Sequence, residues 1–184
     1  MNRAGVIAAT LLGAALSAPA ATMPDFPPRV EADGAPLVLR NTGIFKARLF
    51  FSVYAAALYL GEDVSPARVL DDVPKRLELH YFYHIPARVM VEEGDNVLSE
   101  NLSRAQMEAI RDRLAQLNAA YMDVKPGDRY SLTYVPGRGT ALSLNGKEIC
   151  RIEGADFAAA YFRIWLGEKP SSRSLKKALL FAPD

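Results

Sequence analysis

An α+β fold, with one large antiparallel sheet carrying helices on one face, is what this 184-residue sequence predicts. Three observations predict it. Strand-like and helix-like segments are segregated along the chain rather than alternating. Strand-like segments are joined at Asp33-Gly34, at Pro136-Gly137-Arg138-Gly139 and at Asn145-Gly146, turn signals that connect antiparallel neighbours. Half of the residues are apolar and 23% are charged, the composition of an ordinary globular domain.

The elements follow in order. Residues 1–20 read as a cleavable secretory signal peptide: Arg3, an apolar stretch from Ala4 to Leu16, then small residues ending in Ala18-Pro19-Ala20. An uncleaved N-terminal helix is the competing reading. Cleavage would leave residues 21–184 as one domain, periplasmic or secreted, with no stable membrane span. No cysteine follows the apolar stretch, which excludes lipid attachment there. A Pro-rich lead-in (21–28) is extended. RVEADGAPLVL is a hairpin turning at Asp33-Gly34. RLFFSVYAAALYLG (48–61) is apolar on both faces, as a strand covered on both sides must be; its alanines also permit a buried helix, but Phe, Val and Tyr favour the strand.

Ser65-Pro66 opens a short helix, ARVLDD. RLELHYFYHI (76–85) alternates cleanly, with Leu77, Leu79, Tyr81, Tyr83 and Ile85 on one face. Pro86 opens a helical region reaching about Leu102. Ser103 and Gln106 form a capping box, and the helix behind it carries Met107, Ile110, Leu114, Leu117 and Tyr121 on one stripe. RYSLTYVP, TALSL and KEICRI are a three-strand meander. GADFAAAYFRIWLG (154–167) is apolar around nearly its whole circumference. It falls short of the roughly 20 residues a span needs, so it is a helix buried inside the domain. SRSLKKALL closes the chain as a helix.

Composition excludes several function classes. Residues 1–20 hold one basic residue and no acidic one, so residues 21–184 carry 21 of each and attract neither nucleic acid nor an anionic membrane. Cys150 is the sole cysteine; it makes no internal disulfide and sits in an alternating strand as a small buried hydrophobe. His80 and His84, four residues apart on a strand, are about 13 Å apart, too far for one metal. Asp71-Asp72 and Glu92-Glu93 read as solvated helix faces. Asn101-Leu102-Ser103 fits the glycosylation pattern, but Ser103 is better explained as a helix cap. No phosphate loop, nucleophile elbow or metal-binding helix motif occurs, and no cofactor is implied.

What remains is a set of polar groups in apolar strand context: Lys46, Arg48, Ser52 and Tyr54 around the most hydrophobic strand, and Tyr81 and Tyr83 on the next. Phenols with one or two cations in an apolar cavity would suit a carboxylate with a long tail. The plainer reading puts Lys46 and Arg48 in exposed loop and the tyrosines in the core.

NTGIFKARLFFSVYAAALYL, KRLELHYFYHI, LNAAYMDVKPGD, YSLTYVPGRGTALSLNGKEI and IEGADFAAAYFRIWLGEKPSSRSLKKALL together resemble the bacterial chalcone isomerase-like family over residues 28–181. The resemblance implies an open-faced β-sandwich with a ligand cleft between a large sheet and a layer of helices. The plant isomerases of this fold use an Arg, a Thr, a Tyr and an Asn. The corresponding positions here are Phe45 or Lys46, Tyr54, near Met90 and near Val97, so none is kept. Other members of the fold are non-catalytic fatty-acid binders that hold the carboxylate with an Arg and a Tyr. Lys46 or Arg48 with Tyr54 could imitate that pair, with Tyr81 or Tyr83 lining the cleft around a small apolar or acyl ligand. Two alternatives stay open: a structural or partner-binding protein whose cleft is closed, and an isomerase or lyase of unknown substrate.

Overall fold

The computed structural model describes residues 22–47 and 51–181. Seven strands form one antiparallel sheet in chain order: β1 (Arg29–Ala32), β2 (Ala35–Ala47), β3 (Phe51–Gly61), β4 (Lys75–Tyr81), β5 (Arg129–Val135), β6 (Gly139–Leu144) and β7 (Lys147–Ile152). The helices are α1 (Ala87–Asn101), α2 (Arg104–Ala120), α3 (Ala155–Tyr161), α4 (Arg163–Leu166) and α5 (Arg173–Leu180). The expected signal peptide lies outside the described residues. Among the described residues no helix is long and apolar enough to cross a membrane.

The turns follow their residue types. Asp33 and Gly34, and Asn145 and Gly146, all have positive φ, as a two-residue type I′ hairpin requires. The sheet curls enough for the Arg151 guanidinium of β7 to reach the Asp33 carboxylate in the first turn, at 2.7 Å. Along β3, Tyr54, Ala56, Leu58 and Leu60 face the helices and the main core, while Ala55, Ala57 and Tyr59 enter a second cluster behind the sheet. Both faces of this strand are therefore covered, as its sequence demands. The lead-in supplies part of the rear cover: Phe26 is buried there, with the Arg129 guanidinium 5.0 Å from its ring centre.

Four elements differ from the sequence reading, three of them ahead of α1. The strand expected to stop at Leu39 runs on to Ala47. Polar Arg40, Asn41, Thr42 and Lys46 hide it, and irregular register at Leu39/Asn41 and at Phe45/Lys46 breaks the alternation. The strand expected through Ile85 stops at Tyr81, close to where β5 begins opposite His80; beyond it Phe82 N–H still reaches the Val53 carbonyl of β3, and Ile85 makes only an isolated bridge to Val124. His84 thereby leaves the strand and lies 3.6 Å from Asp123. The expected helix ARVLDD is only a 3-10 turn, Pro66–Arg68.

The helices lie on one face. The capping box forms as read, with Gln106 N–H donating to Ser103 Oγ at 3.3 Å and Ser103 N–H to Gln106 Oε1 at 2.8 Å. Asn101 is fully occupied: its amide donates to the Val97 and Lys169 carbonyls and accepts from Lys169 N–H. The helix expected over 154–167 is two short ones, with Phe162 at the join. Helix α5 reaches β2 because residue 43 is glycine. A Cβ there would stand 2.8 Å from Leu175 Cδ1 and 2.9 Å from Ala178 Cβ. Cys150 is half-buried beside the main core, and burial pushes its thiol up.

One buried cation makes stability depend on pH. Lys75 has no exposed surface; its Nζ donates to the Asp71 carbonyl at 2.5 Å and lies near the rings of Tyr134 and Phe162. Burial lowers its pKa from 10.5 to about 8, against the opposing pull of Asp72 and Asp71. Between those values the unfolded chain holds the proton and the folded chain does not, so stability rises with pH. Above about pH 10 the buried tyrosines, whose phenols are pushed up by burial, stay protonated only in the fold, and stability falls. The unfolding free energy from urea titrations is expected to rise by about 1–3 kcal/mol between pH 8 and 10, and that rise is expected to vanish in Lys75→Met. A flat profile in the parent protein would refute this account.

Candidate functional site

Where β3 and β4 bring tyrosines to the helical face, the sheet and helices do not fully close. The cavity between them is lined by Phe45, Tyr54 and Tyr81 from the sheet. Met90, Glu93 and Gly94 of α1, Tyr121 at the end of α2, Tyr161 of α3, Trp165 of α4 and Ser171 complete its wall. Its volume is about 60 Å³, room for a few waters at ~10–15 Å³ each. Pockets that hold drug-sized ligands are larger, at ~300–1,000 Å³.

The wall is a chain of aromatic contacts. Phe45 stacks on Tyr54 at 4.9 Å between ring centres, Tyr54 meets Tyr81 at 5.6 Å, and Tyr81 meets Tyr130 edge-on at 6.2 Å. Tyr121 lies 5.1 Å from Tyr130, and Tyr161 lies 6.0 Å from Trp165. Hydrogen bonds fix the polar tips. Trp165 Nε1 donates to the Tyr54 hydroxyl at 3.1 Å, and the hydroxyls of Tyr121 and Tyr161 are 2.9 Å apart. Tyr130 donates to the Met122 carbonyl at 3.1 Å and accepts from its N–H at 2.8 Å. Ser171 Oγ is buried and meets hydrogen-bond geometry with no group among the described residues, yet it lies close enough to the Tyr54 hydroxyl to oppose the rise in that phenol's pKa.

The electrostatics favour neutral phenols. Burial raises the pKa of Tyr54, opposed by the Trp165 hydrogen bond and reinforced by the negative charge of Glu93. Burial likewise dominates at Tyr81, Tyr121 and Tyr161. These groups donate and accept hydrogen bonds at neutral pH and do not serve as bases. Glu93 is the one charged residue in the lining among the described residues, so the wall supplies hydroxyls and a carboxylate.

The residues singled out in the sequence separate in space. Tyr54 and Tyr81 line the cavity. Tyr83 stacks on Phe51 at 4.3 Å, outside the lining. Lys46 is exposed at the end of β2, while its neighbour Phe45 occupies the wall. Arg48 lies outside the described residues. Of the acidic pairs expected to be solvated, Asp71, Asp72 and Glu92 are exposed; Glu93 is half-buried and joins the wall, because helical spacing sets it beside Met90 and Gly94. Tyr121, Tyr161 and Trp165 were not singled out. For Tyr161 and Trp165 the signal was the spacing of four from Phe157 to Tyr161 to Trp165, which stacks side chains along one helix face; for Tyr121 it was the stripe it shares with Leu114 and Leu117. Among the described residues no group of three His, Cys, Asp or Glu is placed to hold a metal.

Comparison with known proteins bears on this arrangement. The family model described as chalcone isomerase-like matches residues 21–181. No match was found among curated proteins. Among solved structures, the fatty-acid binding protein AtFAP1 of Arabidopsis thaliana is similar at a TM-score of 0.63 and 14% identity, covering 84% of this chain and 90% of that one. At that identity the similarity is one of fold.

Proposed function

This chain belongs to the chalcone isomerase-like family, and on that premise we propose that it is a non-catalytic protein that binds a small apolar or acyl ligand in the cleft between sheet and helices. The observation that carries the reading is the cavity wall: six aromatic side chains, four of them with phenol hydroxyls, meeting at a gap between sheet and helices. Similarity of fold to a fatty-acid binding protein supports it. So does the expectation that, of the four plant catalytic positions, those near Met90 and Val97 offer neither a phenol nor an amide, although Lys46 could supply a cation and Tyr54 a hydroxyl. Tyr54 and Tyr81 would hydrogen-bond the polar end of the ligand. Arg48, three residues ahead of β3 in the chain, is the candidate cation, since Lys46 is exposed. Export to the periplasm or beyond rests on the sequence of residues 1–20.

The cleft must widen to take a ligand of any length, and the Trp165–Tyr54 and Tyr121–Tyr161 hydrogen bonds are what holds it narrow. Trp165 is the only tryptophan in the chain and stands in the wall, so its emission reads the cleft directly. Titrating palmitate into the protein is expected to shift and quench that emission, and Arg48→Ala is expected to weaken the response about tenfold or more. Native mass spectra before and after mild organic extraction identify any retained compound. Emission that ignores palmitate and a panel of phenolic compounds, from a protein that also retains nothing, would rule the reading out in favour of a closed-cleft partner-binding protein.

A further inference from the structure

The single turn of α4 faces two ways. Ile164 and Trp165 line the cleft, whereas Arg163 and Leu166 line a separate groove that shares no residue with it. The groove lies between the segment after Ser65, α4 and α5. Its volume is about 320 Å³, against about 60 Å³ for the cleft, and it reaches the ~300–1,000 Å³ range of small-molecule sites. Val69, Leu70, Leu166 and Leu180 supply apolar wall.

Its charged residues are of a different kind from those of the cleft. Arg163 and Lys176 both line it. Lys176 Nζ donates to the Gly167 carbonyl at 2.8 Å, which positions the ammonium without neutralising it. The Arg163 side chain is half-buried and makes no hydrogen bond or ion pair among the described residues; it also borders a neighbouring depression that holds Asp156, whose carboxylate is taken by Arg113. The one acid in the lining, Glu168, is exposed. A partly desolvated guanidinium with no anion is a site that a carboxylate completes, in the two-pronged geometry that arginine favours.

We propose that this groove is a second ligand site, specific for a single-chain carboxylate amphiphile. The carboxylate would sit on Arg163 with Lys176 flanking it, and the tail would lie along Val69, Leu70 and Leu180. The inference stands apart from the cleft reading. The two sites differ in their charged residues: Glu93 lines the cleft, and Arg163, Lys176 and the exposed Glu168 line the groove.

The test titrates decanoate and decanol, below micelle formation, into the intact protein by calorimetry. Decanoate is expected to bind more tightly than decanol. Arg163→Gln should weaken decanoate at least tenfold and Lys176→Gln several-fold, with decanol unchanged. Arg163→Lys should recover part of the loss, which separates a charge effect from misfolding. Decanoate binding that survives Arg163→Gln and is lost in Arg48→Ala would overturn the groove and uphold the cleft; the reverse pattern would do the opposite. No decanoate binding at any concentration below micelle formation would also overturn the proposal.

Discussion

Replacing Trp165 with alanine is expected to destabilise the protein by ~3–5 kcal/mol and at the same time to enlarge the cleft. The indole is 8% exposed, packs on Tyr161 and donates its N–H to Tyr54. Its removal leaves a void between α4 and the sheet that a well-packed core fills only in part. Unfolding in urea, followed by circular dichroism because the only tryptophan is gone, gives the stability. Native mass spectra give the second effect: an enlarged apolar cleft should retain more acyl or aromatic material than the parent. Trp165→Phe keeps most of the packing and should cost less than half as much. A loss below about 1 kcal/mol for Trp165→Ala would mean that the cleft is already loose and that Trp165 does not hold it narrow.

The second large effect is expected behind the sheet, where Glu78 is only 6% exposed. Its two oxygens take the Arg76 and Arg129 guanidiniums, each at 2.8 Å. Arg76 also donates to Thr133 Oγ1, and Arg129 to the Asp25 carbonyl, so the carboxylate orients the group that ties down the lead-in segment. Glu78→Ala leaves two largely buried cations facing each other and should cost ~3–5 kcal/mol. A buried ion cluster is not itself a strong source of stability, because desolvation offsets its attraction. The variant Arg76→Leu/Glu78→Leu should therefore lie closer to the parent than Glu78→Ala does. If the double variant is no better than the single one, the loss comes from packing rather than from uncompensated charge.

The sheet and its helices were largely legible in the sequence because each depends on neighbours along the chain. Alternation in RYSLTYV, the Asn145-Gly146 turn and the capping box at Ser103 are local instructions, and the structure follows them. The second half of β2 was not legible, since irregular register at two points interrupts its alternation. The end of β4 was not legible either, since it falls close to where its pairing with β5 begins, and β5 begins 49 residues further along the chain, at Arg129 opposite His80.

The candidate site divides in the same way. Sequence alone marked Tyr54 and Tyr81 as polar atoms on an apolar face, and it determined that residues 154–167 lie inside the domain. Only the tertiary structure decided that Tyr121, Tyr161, Trp165 and Glu93 meet them around one cavity, and that Lys46 turns away from it. The register irregularity at Phe45/Lys46 sets which of two adjacent side chains faces the helices. The break at Phe162 sets which side of α4 faces the cleft and which the groove. The period of a strand or helix is written in the chain, but its phase at a single residue is set by what packs against it.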